Sequence, residues 1–208
     1  MNHTQSSPPS FNRNLAAMSN DSTPKASANP AINPEEDGKT HINVYSRGAT
    51  SLGRALSNLS ECNIEHPYFG HFRTLEGLWF YMKTGFKDNN FRIIKGVAAR
   101  ELGKKLPTAH YALFSKMFKL GMLEKLEKNP ALQRDLLANE LPLAHYYLYG
   151  KKIMMQDRHQ WQLDYWMLLR TALKNTGSLD VIRAELSEDI KYQLDNLDKA
   201  ASSEPGDQ

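Results

Sequence analysis

The segment from Phe72 to Lys83 is the feature that most constrains the fold of this chain. Thr74 is a residue type that often caps a helix, and Glu76 follows in the first turn, where a carboxylate suits the positive end of the helix dipole. Apolar side chains then recur at helical spacing: Leu75, Leu78, Trp79 and Met82. Glu76 and Lys83 are seven residues apart, so both project from one side of the predicted helix, roughly 10 Å apart along its axis. Two interpretations stay open: the pair converges on a ligand the size of a sugar, or Glu76 stabilises the helix start while Lys83 is solvated.

Composition excludes several classes of protein. The 208 residues carry 26 Lys and Arg against 23 Asp and Glu, and this excess of +3 is too small to indicate nucleic-acid binding by itself. A single cysteine, Cys62, excludes an internal disulfide framework and a zinc site built from spaced cysteines. The N-terminus has no apolar signal region and no apolar run approaches a membrane span. These observations predict a cytoplasmic protein with no membrane partner.

The distribution of residue types predicts four segments. Residues 1–38 are rich in Ser, Asn, Pro and Thr, and such a segment buries too little apolar surface to offset the entropy lost on ordering. We therefore predict a disordered tail there and a second one at 200–208. Between the tails we expect one domain over 39–175 and a helical extension over 176–199.

The region before the central helix carries the strand signals. Ile42–Tyr45 alternates apolar and polar residues, which predicts a first strand. Ser46–Gly53 is turn-rich and predicts a loop, and Leu56–Leu59 predicts a short extended segment. Cys62–Phe72 predicts a strand, a turn near His66-Pro67 and a second strand.

The rest of the chain is predominantly helical by its apolar periodicity. The predicted helices are Asn90–Leu102, Ala109–Lys128, Pro130–Ala138, Asp157–Lys174 and Leu179–Leu197, with an aromatic extended segment at His145–Gly150. The predicted fold class is α+β, a mostly helical domain around a small N-terminal β element.

Several short motifs follow one another in an order typical of one family. They are Leu56-Ser57-Asn58-Leu59, Thr74-Leu75-Glu76 with Lys83 seven residues on, Ala98–Gly103, Asn129–Ala138, Leu148-Tyr149-Gly150 and Met167–Arg170. In order and spacing, roughly from Ile42 to Lys174, the chain resembles the NADAR superfamily, also called YbiA-like. The resemblance implies a YbiA-like fold and an N-glycosidase that hydrolyses a ribosyl–base bond without a metal or other cofactor. Substrates of that family include ADP-ribose attached to guanine and ribosylamino-pyrimidine intermediates of riboflavin synthesis.

The resemblance also implies the catalytic residues. Glu76 matches the position of the essential carboxylate, and Lys83 that of the essential amine. A carboxyl of raised pKa can shuttle the proton of the leaving base. A neutral lysine can attack the opened sugar as an imine, and Leu78, Trp79 and Met82 are apolar neighbours that would desolvate it.

The remaining predicted site residues would bind the substrate. The resemblance places Asn58, with Ser57, on the ribose or phosphate groups, and Tyr45 in the first strand. Arg47 lies in a Gly-containing loop suited to a pyrophosphate. Trp79, about one turn after Glu76 in the central helix, is also predicted to bind the substrate. Tyr149 takes the place of the Trp that usually precedes the position of Gly150.

The chain departs from the family pattern at other positions. Phe80 replaces a usual Gln, and Gly77 replaces a usual His. The aromatic residues Phe80, Tyr81, Tyr146, Tyr147 and Tyr149 suit either stacking on a flat base or core packing.

Two alternatives to an enzyme stay open. One is a catalytically silent binder of ADP-ribose-like nucleotides, and the other is a helical module whose aromatic C-terminal helix docks a partner. The predicted partner is otherwise a small nucleotide or an ADP-ribosylated nucleic acid. None of the seven histidines forms an i, i+4 pair, so we predict no metal site.

Overall fold

Helices make up most of the part of the chain that the computed structural model describes, residues 32–202, with side chains over 32–197. In chain order the elements are β1 (Ile42–Asn43), α1 (Ser51–Leu56), β2 (Ile64–His66), β3 (Gly70–Phe72), α2 (Leu75–Lys83), α3 (Asn90–Ile93), α4 (Gly96–Gly103), α5 (Phe114–Glu127), α6 (Pro130–Ala138), β4 (Leu143–Ala144), β5 (Tyr146–Tyr149), β6 (Lys152–Met155), α7 (Gln160–Thr176) and α8 (Asp180–Ser202). Short 3-10 turns occupy Pro34–Glu36 and Asp157–His159. Of the tails predicted over 1–38 and 200–208, residues 1–31 and 203–208 lie outside the described residues, whereas 34–36 form a 3-10 turn and 200–202 belong to α8. The domain boundary near residue 175 stays a prediction.

Helix α2 is confirmed, and its ends lie where the sequence predicts them. The Thr74 hydroxyl accepts a hydrogen bond from the Gly77 N–H at 3.0 Å, which satisfies one of the free donors of the first turn. Leu75 and Met82 are fully buried, as is Leu78 between them. The helix ends before Gly85, whose φ of 81° lies in the left-handed region that glycine tolerates best.

Two glycines let other helices pack closely on α2. A Cβ at Gly121 of α5 would lie 2.3 Å from the Leu78 side chain, and a Cβ at Gly103 of α4 would lie 2.0 Å from the Phe80 ring. Both distances are far below van der Waals contact, so a larger residue at either position would push its helix away from α2. Helix α2 therefore lies at the centre of the core, and Glu76 near its start has a fixed position.

Over residues 32–202, the strands form three separate two-stranded sheets. Strands β2 and β3 pair antiparallel, which confirms the predicted strand–turn–strand over Cys62–Phe72. The first predicted strand is confirmed in a shorter form, and β1 pairs in parallel with β4, Ile42 opposite Leu143. Strands β5 and β6 form an antiparallel hairpin. The prediction of a mainly N-terminal β element was wrong in this respect, because β4, β5 and β6 follow α6. These strands are short, so their sequence patterns are weak.

A side-chain amide joins β1 to the later hairpin. Asn43 donates from Nδ2 to the Tyr146 carbonyl and accepts from the Tyr146 N–H, both at 3.2 Å. This pair reproduces the two hydrogen bonds of a strand ladder. It brings the ring of Tyr45 to 4.9 Å from that of Tyr147, between centroids.

Two local predictions were wrong because long-range packing decides the backbone. Residues 51–56 form helix α1, capped by Thr50, and the predicted extended segment Leu56–Leu59 is the end of that helix followed by a turn. The predicted helix Asn90–Leu102 is two helices, since Ile94 is extended with ψ of 152°. A Cβ at Gly96 would lie 2.7 Å from Cα of Leu59, so α4 starts at a glycine that packs directly on that turn.

The C-terminal helices agree with their predictions apart from their ends. Helix α5 begins at Phe114, later than predicted, and α7 follows a 3-10 turn. Helix α8 is longer than predicted and packs on α5, where Arg183 pairs with Glu124 at 2.6 Å and Lys116 with Asp189 at 2.6 Å. Among the described residues, no helix is both long enough and apolar enough to cross a membrane.

Candidate active site

A cavity opens where the turn after α1, the start of α2, α4, the β4–β5 segment and the start of α7 meet. Its empty space amounts to about 540 Å³, part of it open to solvent. The lining residues are Val44, Tyr45, Ser57, Asn58, Leu59, Glu76, Arg100, His145, Tyr147, His159, Gln162, Leu163 and Trp166. The wall therefore combines polar, aromatic and aliphatic groups.

Glu76 is the one carboxylate in that lining. The backbone N–H of Glu76 donates to the Asn58 carbonyl at 2.9 Å, so the turn after α1 holds the first turn of α2 in place. Over residues 32–197, the Glu76 carboxylate makes no hydrogen bond and no ion pair. Burial raises the pKa of Glu76 to about 7, against the pull of Arg100, Lys104 and Lys83. A carboxyl with this pKa is available both as an acid and as a base near neutral pH.

Three cations lie close enough to act on Glu76. Arg100 of α4 lines the cavity itself, and its Nε lies 3.3 Å from the exposed carboxylate of Glu101. Lys104 follows one turn later on the same helix. Lys83 lies at the other end of α2, outside the cavity lining, with its Nζ 5.6 Å from the centroid of the Phe80 ring. Three positive charges thus act on a carboxyl that burial holds partly neutral.

A buried lysine holds the turn that contributes Asn58. Lys125 of α5 is 1% exposed, and its Nζ donates to the Ser57 carbonyl at 2.9 Å and to Ser60 Oγ at 2.6 Å. Burial lowers the pKa of Lys125 to about 8, while the neighbouring Cys62 acts in the opposite direction. Since Asn58 lies between the two serines, this clamp fixes the floor of the cavity.

A chain of amide groups crosses the cavity from that turn to α7. Asn58 donates from Nδ2 to Oε1 of Gln162 at 3.0 Å. Nε2 of the buried Gln162 lies 3.4 Å from Nδ1 of His159. This chain connects Asn58 to Gln162 and His159, about a hundred residues later in the sequence.

Aromatic and imidazole rings form the opposite wall. His145 lies edge-on to Tyr147 with 5.1 Å between ring centroids, and 6.2 Å from His159. Nδ1 of His145 is buried without a hydrogen-bond partner among the described residues, and an unpaired buried polar atom costs about 1–3 kcal/mol. Burial lowers the pKa of His145 to about 4, so this imidazole is neutral at neutral pH. Such a wall suits a flat, uncharged ring system.

The structure brings four of the predicted site residues together in the cavity lining: Tyr45, Ser57, Asn58 and Glu76. It leaves the others outside that lining. Arg47 is exposed, and the neighbouring Arg54 stabilises its own loop by donating to the carbonyls of Gly48 and Ala49. Trp79 lies behind the wall, with its ring 5.4 Å from that of His159.

The predicted residues of the hairpin are also outside the cavity. Tyr149 is 62% exposed, and Gly150 forms the hairpin turn with a φ of 60°. Tyr147, two residues earlier, is the side chain of this strand that lines the cavity. Tyr147 and Tyr149 share one face of β5, but Tyr149 lies beyond the cavity at the exposed end of the hairpin.

The aromatic residues for which two roles were open fall into separate groups. Phe80, Tyr81 and Tyr146 are buried core residues, and Phe80 stacks on Phe91 with 6.1 Å between centroids. Gly103 makes room for the Phe80 ring in this core.

Sequence reasoning did not select four polar residues that line the cavity: Arg100, His145, His159 and Gln162. It left Tyr147 open between stacking on a base and core packing. The histidines were considered as metal ligands and were not selected. Within the described residues, no three His, Cys, Asp or Glu side chains are grouped so that they would hold a metal ion. A useful signal was the position of His159 directly before a strong helix, since the first turn of a helix often faces a ligand site.

The fold and the cavity together define a mostly helical α+β protein with a partly neutral carboxyl at the start of its central helix. Its structure is similar to the NMR structure of the E. coli protein YbiA, with a TM-score of 0.50 and 20% sequence identity. The alignment covers 65% of this chain and 85% of YbiA. At that identity the similarity shows a related fold. No protein-family model and no curated protein matches the sequence.

Proposed function

We propose that this protein is an N-glycosidase that hydrolyses a ribosyl–base bond, with ADP-ribosylated guanine or a ribosylamino-pyrimidine as substrate. The observation that carries the proposal is Glu76, a carboxyl with a pKa raised to about 7 inside a cavity walled by aromatic and imidazole rings. The structural similarity to YbiA agrees with the resemblance found in the sequence.

As the bond between C1′ and the base nitrogen breaks, two developing charges must be stabilised. The electron pair leaves with the base, and positive charge develops on the sugar. Glu76 in its acid form would protonate the leaving base, and the resulting carboxylate would stabilise the sugar cation and accept a proton from the attacking water. A pKa near 7 suits a group that performs both steps.

Arg100 is the better candidate than Arg47 for holding a phosphate group of the substrate. Arg100 lines the cavity and its guanidinium can bind a phosphate through two hydrogen bonds, whereas Arg47 is exposed and lies outside the lining. We therefore propose that the phosphate enters on the α4 side of the cavity.

Lys83 would act through its charge in this mechanism. The ammonium favours the ionised form of Glu76, although Lys83 does not line the cavity. A covalent imine on Lys83 requires the side chain to reach the sugar, so trapping with borohydride tests the two roles directly. A trapped adduct on Lys83 would establish the covalent route.

The test is a panel of ADP-ribosylated guanine, in free form and in DNA and RNA, together with ribosylamino-pyrimidines, read by mass spectrometry. We expect release of the base by the wild type and a loss of about 10²- to 10⁴-fold in Glu76→Gln, the range for removing a general acid. Glu65→Gln, an exposed carboxylate in β2, is the matched control and should retain full activity. If Glu76→Gln turns over normally, Glu76 has no part in the mechanism.

The pH dependence gives a second readout of the same assignment. If the acid form of Glu76 protonates the base, kcat/KM falls as the pH rises above about 7, the pKa of the free enzyme. The position of Lys83 outside the lining favours one alternative, a protein that binds ADP-ribose-like nucleotides without cleaving them. Calorimetric binding of ADP-ribose without release of base from any member of the panel would establish that alternative.

A further inference from the structure

The orientation of Gln162 determines which nitrogen of His159 carries the proton. Oε1 of Gln162 accepts from the Asn58 amide, so the NH₂ group of Gln162 is the end that faces His159. An amide NH₂ only donates, and Nδ1 of His159 must then accept. The proton of a neutral His159 is therefore on Nε2.

The surroundings of His159 keep this imidazole neutral and in one place. Burial lowers the pKa of His159, and the cationic Arg158 and Lys83 act in the same direction. The backbone N–H of His159 donates to the Gln156 carbonyl at 2.9 Å, which fixes the 3-10 turn before α7. The ring packs edge-on against Trp79, with 5.4 Å between centroids.

The Nε2–H group of His159 is free to serve a ligand. Over residues 32–197, Nε2 of His159 makes no hydrogen bond. It is not fully buried either, unlike Nδ1 of His145, so Nε2–H is accessible. His159 lines the same cavity as Glu76. A neutral donor that is fixed in one tautomer and accessible, on a residue that lines a polar cavity, is suited to bind an acceptor atom of a ligand.

We propose that His159, held as the Nε2–H tautomer by the Asn58–Gln162 pair, donates a hydrogen bond to an acceptor nitrogen or oxygen of the departing base. The proposal rests on the function proposed above and adds a second group to it. As the C1′–N bond breaks, its electron pair moves into the base, Glu76 delivers the proton, and His159 keeps its own proton while stabilising the negative charge. Water then adds to C1′ and returns its proton to Glu76, so both residues end in their starting state.

The tautomer is measured without any substrate by long-range ¹H–¹⁵N correlation on the full chain. In the wild type we expect Nδ1 of His159 to give the signal of an unprotonated nitrogen and Nε2 that of a protonated one. In Gln162→Glu the new carboxylate accepts only, so the proton should move to Nδ1 and the imidazole pKa should rise. Gln160→Glu, an exposed position two residues earlier in α7, is the control and should leave the tautomer unchanged. A wild-type His159 protonated on Nδ1 would overturn the proposal.

Turnover separates this proposal from the proposed function. With a substrate that the wild type cleaves, His159→Phe should lower kcat about 100-fold with little change in KM, the effect of removing one donor that stabilises a developing charge. His159→Gln, whose amide can donate from nearly the same place as Nε2, should restore part of the loss. Wild-type turnover in His159→Phe would refute the contact while leaving the role of Glu76 intact. A wild type that cleaves nothing in the panel would refute the proposed function, and the contact with the base would fall with it.

Discussion

Two buried ionisable groups, Glu76 and Lys125, lie on either side of the turn that carries Asn58. Lys125 is 1% exposed and has two oxygen partners, the Ser57 carbonyl and Ser60 Oγ. Glu76 is partly buried and has no partner among the described residues, and it faces a cavity. Burial pushes the pKa of each group towards neutrality, to about 8 and about 7 respectively.

The difference between the two groups distinguishes a structural role from a chemical one. A buried group whose hydrogen-bonding capacity is used by the backbone holds that backbone in place. A buried ionisable group whose hydrogen-bonding capacity is unused, and which faces a cavity, is available to a ligand. Lys125 therefore shapes the site, and Glu76 is the group that acts in it.

The largest expected effect comes from reversing the buried charge. In Lys125→Glu a buried carboxylate would replace the ammonium and face the Ser57 carbonyl, so we expect the free energy of unfolding to fall by about 3–5 kcal/mol. Lys128→Glu, at the exposed end of the same helix, should cost less than about 1 kcal/mol. Urea unfolding followed by circular dichroism measures both variants. Equal stabilities in the two variants would remove Lys125 from the structural role.

The next effect comes from removing the titration of Glu76. Because its folded pKa of about 7 lies above its unfolded value near 4.5, the folded state binds more protons between those pH values, and wild-type stability falls as the pH rises through them. Gln does not titrate, so the stability of Glu76→Gln relative to the wild type should increase by about 3 kcal/mol from pH 4.5 to pH 7. Unfolding curves for both proteins across this range give the difference directly. A constant difference would mean that burial does not disfavour the Glu76 carboxylate.

The smallest expected loss of stability comes from removing one hydrogen-bond partner of Lys125. Ser60→Ala takes away the hydroxyl that accepts from Nζ of Lys125 at 2.6 Å, and we expect a loss of about 1–2 kcal/mol. Ser115→Ala, in the exposed first turn of α5, should change stability by less than about 0.5 kcal/mol. If both variants unfold at the same urea concentration, the hydroxyl contributes nothing to the clamp.

Local signals were enough to predict the central helix and the position of Glu76. The cap at Thr74, the apolar spacing and the stop at Gly85 all operate within about ten residues of one another, and each is found in the structure. The same holds for the antiparallel pair β2–β3, whose turn is short.

The half of the cavity that His145, His159 and Gln162 line could not be predicted from local sequence patterns. His145, His159 and Gln162 reach Glu76 only through the parallel pairing of β1 with β4 and the packing of α7, contacts between residues about a hundred positions apart. The break at Ile94 has the same origin, because Gly96 packs on the backbone of Leu59. Periodicity within a segment carries no information about such contacts.

We expect Glu76 to be half-protonated near neutral pH, because burial in the cavity raises its pKa. The most direct test is an NMR titration of the side-chain carboxyl carbon of Glu76 in the full chain, with Glu76→Gln used to assign the signal. We expect the titration of the Glu76 carboxyl to have its midpoint near pH 7. A midpoint near 4.5, the value of a solvated glutamate, would contradict it.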